Sequence, residues 1–251
     1  MSKRAIGIDI GGTGIKGALV DVKKGKLLSE RLRFETPKGG TPHGVAETLK
    51  ELISQLPNAE GLPVGICFPS VVKNGVTMSA ANVSKEWIGL DADHLFEKEL
   101  KRTVHVLNDA DAAGLAEAKY GAAKNVKGLV VLTTLGTGIG TALIHNGKLI
   151  PNAELGHLQI DGVDYESMAA YSAKEREGLT FNQWAKRLQK YYSTLEALLS
   201  PDLFIVGGGI SKEHESFLPL LKLKTAIIPA ENRNSAGILG AAYWAKKHTV
   251  D

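Results

Sequence analysis

The sequence lacks features that define several common classes of protein. Cys67 is the only cysteine in 251 residues, so no disulfide can form within the chain and no cluster of thiolates can hold zinc. No apolar run approaches the roughly 20 residues that a membrane helix needs. The chain starts Met1-Ser-Lys-Arg4 and enters an apolar segment at once, which leaves no room for a signal peptide. We therefore expect a cytoplasmic protein without a membrane partner.

Charge of one sign and aromatic residues are also scarce. The formal net charge is +3, and aromatic residues make up 6% of the chain. No basic stripe interleaved with aromatic residues occurs, which argues against a nucleic-acid partner. A mild charge still permits a small polyanionic ligand, because local basic groups can attract an anion. The length allows one large domain or two smaller ones.

Glycine, by contrast, is abundant, and its clusters reveal a repeat. Predicted strands 4–10 and 15–22 are joined by Gly11-Gly-Thr-Gly14, and a similar glycine turn follows Leu135. Aligned from Gly12 and Gly136, both segments read Gly-Thr-Gly-Ile-x-x-Ala-Leu. Each half then continues into βαβ-like units. This repeat predicts a duplicated α/β fold with a ligand cleft between two domains.

We place the domain boundary where a predicted strand ends at Asn108. Residues 1–108, joined by a closing helix over 235–248, form the predicted smaller α/β domain, and residues 109–234 form the larger one. The patterns also predict a strand over 27–35, helices over 164–174 and 180–199, and a helix after the triglycine 207–209.

The first glycine turn has the composition of a phosphate-binding loop. Glycines let backbone N–H groups approach a phosphate, Thr13 adds a hydroxyl, and Asp9 at the strand end suits Mg²⁺. It is not a Walker loop, because neither Gly-Lys-Ser/Thr nor a helix follows. The alternative is a plain hairpin turn. The second turn would place Thr137 and Gly138 on the donor's reacting phosphates, unless the duplication serves folding alone.

Polar residues after other predicted strands suggest an acceptor site. Asp109 can accept the proton of an attacking hydroxyl while Asn108 binds a neighbouring one, although both residue types are also preferred helix caps. Asp111 suits the outer shell of a metal or the first turn of the helix. Glu154 and His157 supply groups suited to sugar hydroxyls. The three glycines of the later cluster suit an adenine and ribose or, equally, close packing: Gly207, Gly208 and Gly209.

Together these segments resemble the ROK family of sugar kinases and repressors. The matching pieces are Asp9-Ile-Gly-Gly-Thr13, Asn108-Asp109, Leu135-Gly-Thr-Gly138, Glu154-Leu-Gly-His157 and Gly207-Gly-Gly209. The resemblance implies the duplicated, ribonuclease H-like fold of actin-like ATPases. It implies that Asp109 is the general base on the 6-hydroxyl of a sugar. It assigns sugar contacts to Asn82, Asn108, Glu154, His157 and Glu166, although Glu166 also suits a helix start.

One feature departs from the family pattern. Most members carry a cysteine-rich zinc motif after the His of Glu-x-Gly-His, and the stretch 158–165 has no cysteine here. No structural zinc is therefore expected, and His157 must be oriented in another way. The segments 68–72, 79–89 and 200–209 resemble bacterial polyphosphate glucokinases. This resemblance implies Mg²⁺-dependent phosphorylation of glucose by polyphosphate, ATP or both, and a homodimer, for which helix 180–199 is a plausible surface.

Three basic residues near these motifs are candidates for a polyphosphate track: Lys16, Lys73 and Lys85. Each is equally explained as a solvated surface lysine. An ATP-only kinase for mannose, fructose or N-acetylmannosamine is the main alternative function. A sugar-sensing regulator would carry an N-terminal helix-turn-helix, for which a first strand at Arg4 leaves no room. A structural ATPase of the actin type would not need the segment at Glu154, whose groups suit sugar hydroxyls.

Overall fold

The computed structural model describes residues 3–80 and 83–249. Asn82, which the resemblance assigned to the sugar, lies outside the described residues. The chain forms two compact units: unit 1 comprises Met1–Ala116 and Ser235–Asp251, and unit 2 comprises Glu117–Asn234. In the described part of the chain, no helix combines the length and apolarity that a membrane crossing requires.

The described residues form short strands, α-helices and a few 3-10 turns in an alternating order. The strands are β1 Arg4–Ile10, β2 Ile15–Asp21, β3 Lys26–Leu27, β4 Leu32–Phe34, β5 Val64–Phe68, β6 Val72–Lys73, β7 Val76–Thr77, β8 Leu90–Asp91, β9 Val104–Asn108, β10 Leu129–Leu135, β11 Ile139–His145, β12 Lys148–Ile150, β13 Gln159–Ile160, β14 Val163–Asp164, β15 Leu203–Gly207 and β16 Ile227–Pro229. The helices are α1 Pro42–Ser54, α2 Ala92–Leu100, α3 Asp109–Tyr120, α4 Glu166–Ala169, α5 Tyr171–Arg176, α6 Phe181–Leu199 and α7 Ala236–His248.

Unit 1 is built on a sheet with the strand order β3-β2-β1-β5-β9, to which β4 adds by pairing with β2. Strands β1 and β2 are antiparallel, whereas β5 and β9 continue the sheet in parallel. Helix α7 packs closely on one face, because a Cβ on Gly7 or Gly65 would lie only 2.0 or 1.8 Å from a carbonyl oxygen of α7. Helix α1 buries its apolar stripe in the core of the same unit.

Unit 2 repeats this plan. Its main sheet has the order β12-β11-β10-β15-β16, again with two antiparallel pairings followed by two parallel ones. Helix α6 begins with a capping box of Thr180 and Gln183 and buries Trp184, Leu188 and Tyr191 in the core. The same strand order in both units confirms the duplicated α/β fold predicted from the two glycine turns.

The boundary between the units lies later in the chain than the sequence analysis placed it. The compact units divide after Ala116, within α3, rather than after Asn108. The first half of α3 belongs to unit 1 because it packs on α7. At the closest point, a Cβ on Gly240 would lie 1.8 Å from the carbonyl oxygen of Ala112. Only glycine permits this approach.

The prediction of one strand over 27–35 was wrong. The segment is split into β3 and β4, which pair with different parts of β2. Between them the Ser29 hydroxyl accepts a hydrogen bond from the Leu19 amide at 3.0 Å. A side chain thus replaces the backbone partner that a continuous strand would have supplied.

Two helix predictions also need correction. The predicted helix 164–174 is broken into α4 and α5 by Ala170, whose backbone is extended (φ −58°, ψ 153°). The break starts a new helix whose second amide, that of Ser172, donates to the Gly136 carbonyl at 3.0 Å. After the triglycine, the chain forms a 3-10 run over Gly209–Ser216 instead of an α-helix.

Candidate active site

The first glycine turn connects β1 to β2 at one end of the unit 1 sheet. Ile10 pairs with Ile15, and the amide of Gly11 donates to the carbonyl of Gly14 at 3.0 Å. The Thr36 hydroxyl donates to the Gly11 carbonyl at 2.6 Å and fixes the base of the turn. The tip of the turn, Gly12-Thr13, is exposed. Its backbone is therefore accessible to a ligand from solvent.

Asp9 lies beside this turn and contacts two side chains, one a charged ammonium and the other a thiol. Its Oδ2 is 3.3 Å from Nζ of Lys16, and its Oδ1 accepts from the Cys67 thiol at 3.4 Å. Burial raises the pKa of that thiol well above its ordinary value, and the charges of Asp9 and Asp109 raise it further. The thiol therefore stays protonated and donates. Asp9 and Asp109 both belong to unit 1.

Asn108 and Asp109 stand at the junction of β9 and α3. Asn108 is buried; its amide donates to the Ser70 carbonyl at 3.0 Å, and its oxygen accepts from the Asp111 amide at 3.0 Å. It therefore caps α3, the alternative left open by the sequence. Asp109 is exposed, and its Oδ1 accepts the neighbouring Ala110 amide at 2.8 Å.

The second glycine turn connects β10 to β11 in unit 2 and is one residue shorter than the first. The Gly136 amide donates to the Gly138 carbonyl at 3.0 Å. Helix α5 holds the turn from outside, because the Ser172 hydroxyl donates to the Thr137 carbonyl at 2.6 Å. Thr137 and Gly138, the residues predicted to contact phosphate, therefore lie in a turn with a fixed backbone.

Glu166 joins this turn to the predicted sugar-binding segment. Its Oε2 accepts the Ile139 amide at 2.7 Å, and a Cβ on Gly138 would lie 2.5 Å from the same oxygen. One carboxylate oxygen is thus committed to the turn, and glycine at 138 leaves room for it. Glu166 is predicted as a sugar ligand, and in the structure it also holds the second glycine turn.

The segment Glu154–His157 is attached to β11 at two points. The Leu155 amide donates to the Thr141 hydroxyl at 3.0 Å, and that hydroxyl donates in turn to the Ala153 carbonyl. A Cβ on Gly156 would lie 2.0 Å from the Ile139 carbonyl oxygen, so only glycine fits there. Partial burial raises the pKa of Glu154, and the charge of Glu166 adds to this effect although His157 opposes it. Glu154 and His157 are thereby held next to Glu166 in one group.

A carboxylate orients His157. Its Nδ1 lies 2.9 Å from Oδ2 of Asp164, and Oδ1 of Asp164 accepts the Glu166 amide at 3.2 Å. The hydrogen bond that the ring donates to the Asp164 carboxylate raises the pKa of His157; partial burial opposes this shift, and the charge of Glu166 adds to it. The ring is fixed with Nδ1 toward Asp164, which directs Nε2 away from that carboxylate. Sequence reasoning did not single out Asp164.

The triglycine ends β15. Gly208 has φ +83°, and a Cβ there would lie 2.3 Å from the Leu135 carbonyl oxygen, at the start of the second glycine turn. Close packing therefore explains Gly208, one of the two explanations left open. A Cβ on Gly209 would meet nothing within 4 Å, so the backbone there has open space beside it.

The family comparison fits this arrangement of two glycine turns, a helix-capping Asn-Asp pair and a Glu-x-Gly-His segment. The family model described as "ROK family" matches residues 5–178, which is more than half of the chain. The chain belongs to the ROK family.

Its ROK relatives include proteins that align along nearly the whole chain. A polyphosphate glucokinase from Mycobacterium tuberculosis (strain CDC 1551 / Oshkosh) is 49% identical over 243 residues, covering 96% of this chain and 90% of the relative. The solved structure of an inorganic polyphosphate/ATP-glucomannokinase from Arthrobacter sp. strain KM matches with a TM-score of 0.93 and 54% identity, covering 98% of this chain and 99% of that one.

A more distant ROK structure shares the same fold. The ROK family glucokinase from Streptomyces griseus, solved in complex with glucose and AMPPNP, has a TM-score of 0.81 and 25% identity, with 97% of this chain and 99% of that chain covered. The fold is therefore the actin-like ATPase fold of ROK sugar kinases, as the sequence resemblance implied.

The lysines predicted to extend a phosphate track are dispersed. Lys16 lies on β2 beside Asp9, whereas Lys73 on β6 and Lys85 in a 3-10 turn are exposed. An arginine that sequence reasoning missed lies closer to the first turn: Nη2 of Arg33 is 3.4 Å from the Thr13 carbonyl oxygen. The pairing of β2 with β4 brings it there, which no local pattern in the sequence signals.

Proposed function

We propose that this ROK-family chain transfers a phosphoryl group from inorganic polyphosphate or ATP to the 6-hydroxyl of glucose. Identities of 49% to a polyphosphate glucokinase and 54% to a polyphosphate/ATP-glucomannokinase, each over nearly the whole chain, support the kinase activity and both donors. The structural observation that carries the proposal is Asp109, an exposed carboxylate on the first turn of α3.

We assign Asp109 as the general base. Its carboxylate accepts the proton of the 6-hydroxyl while that oxygen forms a bond to the terminal phosphorus of the donor. The bond from phosphorus to the bridging oxygen breaks, and ADP or a polyphosphate shorter by one unit leaves with the electron pair. Asn108 holds the base in place because it caps the same helix and is itself fixed by Ser70.

The two glycine turns are assigned to the donor. Phosphoryl transfer needs positioning and charge neutralisation more than covalent chemistry. In unit 1 the exposed tip of Gly11–Gly14 and the ammonium of Lys16 offer N–H donors and a positive charge. In unit 2 the turn around Thr137 and Gly138 offers backbone donors held in place by Ser172 and Glu166.

Mg²⁺ is part of the proposal, and Asp9 fits it. This ion is usually bound by one or two carboxylates together with substrate phosphates and water. Asp9 provides one carboxylate, with 25% of its side chain exposed, beside the turn assigned to phosphate. When bound, the ion would neutralise charge on the donor's phosphates. Lys16 and the Cys67 thiol contact the two oxygens of the Asp9 carboxylate and orient it.

Glucose is the proposed acceptor, and mannose is a second candidate. Glu154, His157 and Glu166 supply carboxylate and imidazole groups suited to sugar hydroxyls, and Asp164 fixes two of the three. Asn82 and Asn108 remain sugar contacts in the proposal. The name of the Arthrobacter relative, a glucomannokinase, specifically favours mannose as an additional acceptor.

We also assign a segment to the nucleotide, a surface to a dimer and a cellular location to the protein. The open space at Gly209, next to Gly207 and Gly208, supports the assignment of this segment to the adenosine of ATP. We further propose a homodimer that uses the exposed side of α6, on which Leu198 is 63% exposed, and a cytoplasmic location where both donors are available.

The test of this function is Asp109→Asn, which keeps the size and a hydrogen-bond acceptor but removes the base. We expect kcat for glucose phosphorylation to fall by about 10²–10⁴-fold with either donor, because a general base contributes that much. Glucose binding, measured by calorimetry, should persist. The matched control is Asp93→Asn, the same substitution in unit 1 outside the site.

The result that would remove Asp109 from this role is a variant that retains most of its kcat. A loss of glucose binding together with the loss of kcat would instead indicate that Asp109 holds the sugar without acting as a base.

A further inference from the structure

One face of the unit 1 sheet carries a row of charged residues at the glycine turn. Asp9 on β1 pairs with Lys16 on β2, and Lys16 pairs in turn with Arg33 on β4. Directly paired residues project from the same face of a sheet. Helix α7 packs on this same face. The first turn of α7 lies close to Asp9, because a Cβ on Gly237 would lie 3.4 Å from Cγ of Asp9. The row therefore lies beyond the start of the helix.

Arg33 is held over the turn by backbone contacts. Its Nη2 lies 3.4 Å from the Thr13 carbonyl oxygen, and a Cβ on Gly14 would lie 3.0–3.2 Å from three guanidinium atoms. Arg33 is exposed. A guanidinium has five N–H donors, and the contact with Thr13 uses one of them. The planar group is thus placed at the turn, and the hydrogen bond to Thr13 leaves its other donors available for a second ligand as far as the described residues go.

The charge balance of the row favours an anion. Lys16 compensates the Asp9 carboxylate at 3.3 Å, so Arg33 adds a positive charge to a neutral pair. A guanidinium binds phosphate through two parallel hydrogen bonds, which a lysine ammonium cannot reproduce. Glycine at position 14 leaves room for this group against the turn, since a side chain there would displace it.

We propose that Arg33, with Lys16 beside it, forms a phosphate subsite adjoining the first glycine turn. The subsite binds phosphoryl units of linear polyphosphate that follow the unit being transferred. ATP carries few phosphates and then an uncharged ribose and adenine, so it gains less from such a subsite than a long polyanion does. Arg33 is therefore a residue that raises preference for polyphosphate over ATP. This inference rests on the proposed function of the first turn.

The experiment compares Arg33→Gln with the wild type in steady-state assays of glucose phosphorylation. The donors are long-chain polyphosphate, tripolyphosphate and ATP. We expect the ratio of kcat/KM for long polyphosphate to kcat/KM for ATP to fall roughly tenfold, the effect of losing a charge-assisted hydrogen bond. Tripolyphosphate should show a smaller fall. Arg33→Lys, which keeps the charge but not the fork, should fall between Gln and the wild type.

The matched control is Lys26→Gln, which removes one charge at the opposite end of β2, where Lys26 pairs with Asp21. It should leave the donor ratio unchanged. An unchanged donor ratio in Arg33→Gln, or equal losses with all three donors, would overturn the subsite. A wild type that uses ATP but not polyphosphate would overturn both the subsite and the proposed donor. If the wild type uses polyphosphate but Arg33→Gln keeps the wild-type donor ratio, only the subsite is overturned.

Discussion

His157 and Asp164 form a hydrogen-bonded pair that orients the imidazole ring. One oxygen of Asp164 lies 2.9 Å from Nδ1 of His157, and the other accepts a hydrogen bond from the Glu166 amide, so one carboxylate holds two predicted sugar ligands. Here the β13–β14 hairpin brings Asp164 back to His157, and a short hydrogen-bonded loop orients the ring.

Asp164→Asn tests this pair. The loss of the carboxylate should lower the pKa of His157, because its hydrogen bond is the largest cause of the upward shift. The pH at which glucose affinity changes should therefore move downward. The KM for glucose should rise about tenfold, as expected for a weakened hydrogen-bonded group, with a smaller change in kcat. A titration of KM for glucose against pH measures both effects.

The control for this variant is Asp161→Asn, in the same hairpin, whose carboxylate forms a surface ion pair with Lys190. It should leave KM for glucose and its pH profile unchanged. The orienting role of Asp164 would be wrong if the two variants behaved alike, or if KM rose with no shift in the profile.

At the residue scale, the site residues that the sequence predicts are those with a local signal, and their roles stay predictions. Asp9 lies near the end of β1, Asp109 directly follows β9, and Glu154 and His157 lie in the Glu-x-Gly-His segment. Asp164 and Arg33 were missed because their roles depend on pairing between β13 and β14 and between β2 and β4.

At the scale of secondary structure, α2 contacts β9 through the partly buried carboxylate of Asp93. Asp93 in the first turn of α2 accepts the Val106 amide at 2.7 Å and lies 3.9 Å from Nδ1 of His105, too far for a hydrogen bond. Burial raises the pKa of Asp93 from 3.8 to about 6; the bond from Val106 opposes the shift, and the charges of Asp91 and Glu97 add to it. At neutral pH the ionised carboxylate therefore carries a desolvation cost that its hydrogen bond from Val106 offsets only in part.

Asp93→Asn should make the protein more stable at neutral pH. A raised folded-state pKa gives stability that is present below the unfolded value and lost as pH rises through about 6. The amide keeps the acceptor for Val106 and carries no charge. We expect the free energy of unfolding to exceed the wild type by roughly 1–2 kcal/mol near pH 8 and to converge with it near pH 4.

Urea titrations at about pH 4 and about pH 8 measure this difference. A variant that is less stable than the wild type at both pH values would show that the Asp93 charge supports the contact. A constant gain at both values would assign the effect to packing instead of titration.

The predicted elements differ from the structure where tertiary contacts override local pattern. Residues 27–35 are predicted as one strand, yet the Ser29 hydroxyl interrupts the pairing with β2. The stretch 164–174 has helical spacing, but Ala170 is extended so that Ser172 can bond the second glycine turn. In both cases the partner lies far away in the sequence, and a local window does not contain it.

At the scale of the whole molecule, the sequence predicted the duplication because the backbone of the two turns fixes the positions of their glycines. Each sheet needs a short turn between two antiparallel strands, and both turns kept the Gly-Thr-Gly-Ile sequence. The unit boundary was less visible, since α3 is continuous across it. Only the packing of Ala112 against Gly240 assigns the start of that helix to unit 1.

The central claim is that this chain phosphorylates glucose from polyphosphate as well as from ATP. The most direct test measures initial rates of glucose 6-phosphate formation by the wild type with Mg²⁺, with the two donors compared side by side. We predict saturable turnover with both donors. Turnover with ATP and none with polyphosphate would contradict the claim about the donor, and no glucose 6-phosphate with either donor would contradict the proposed function as a whole.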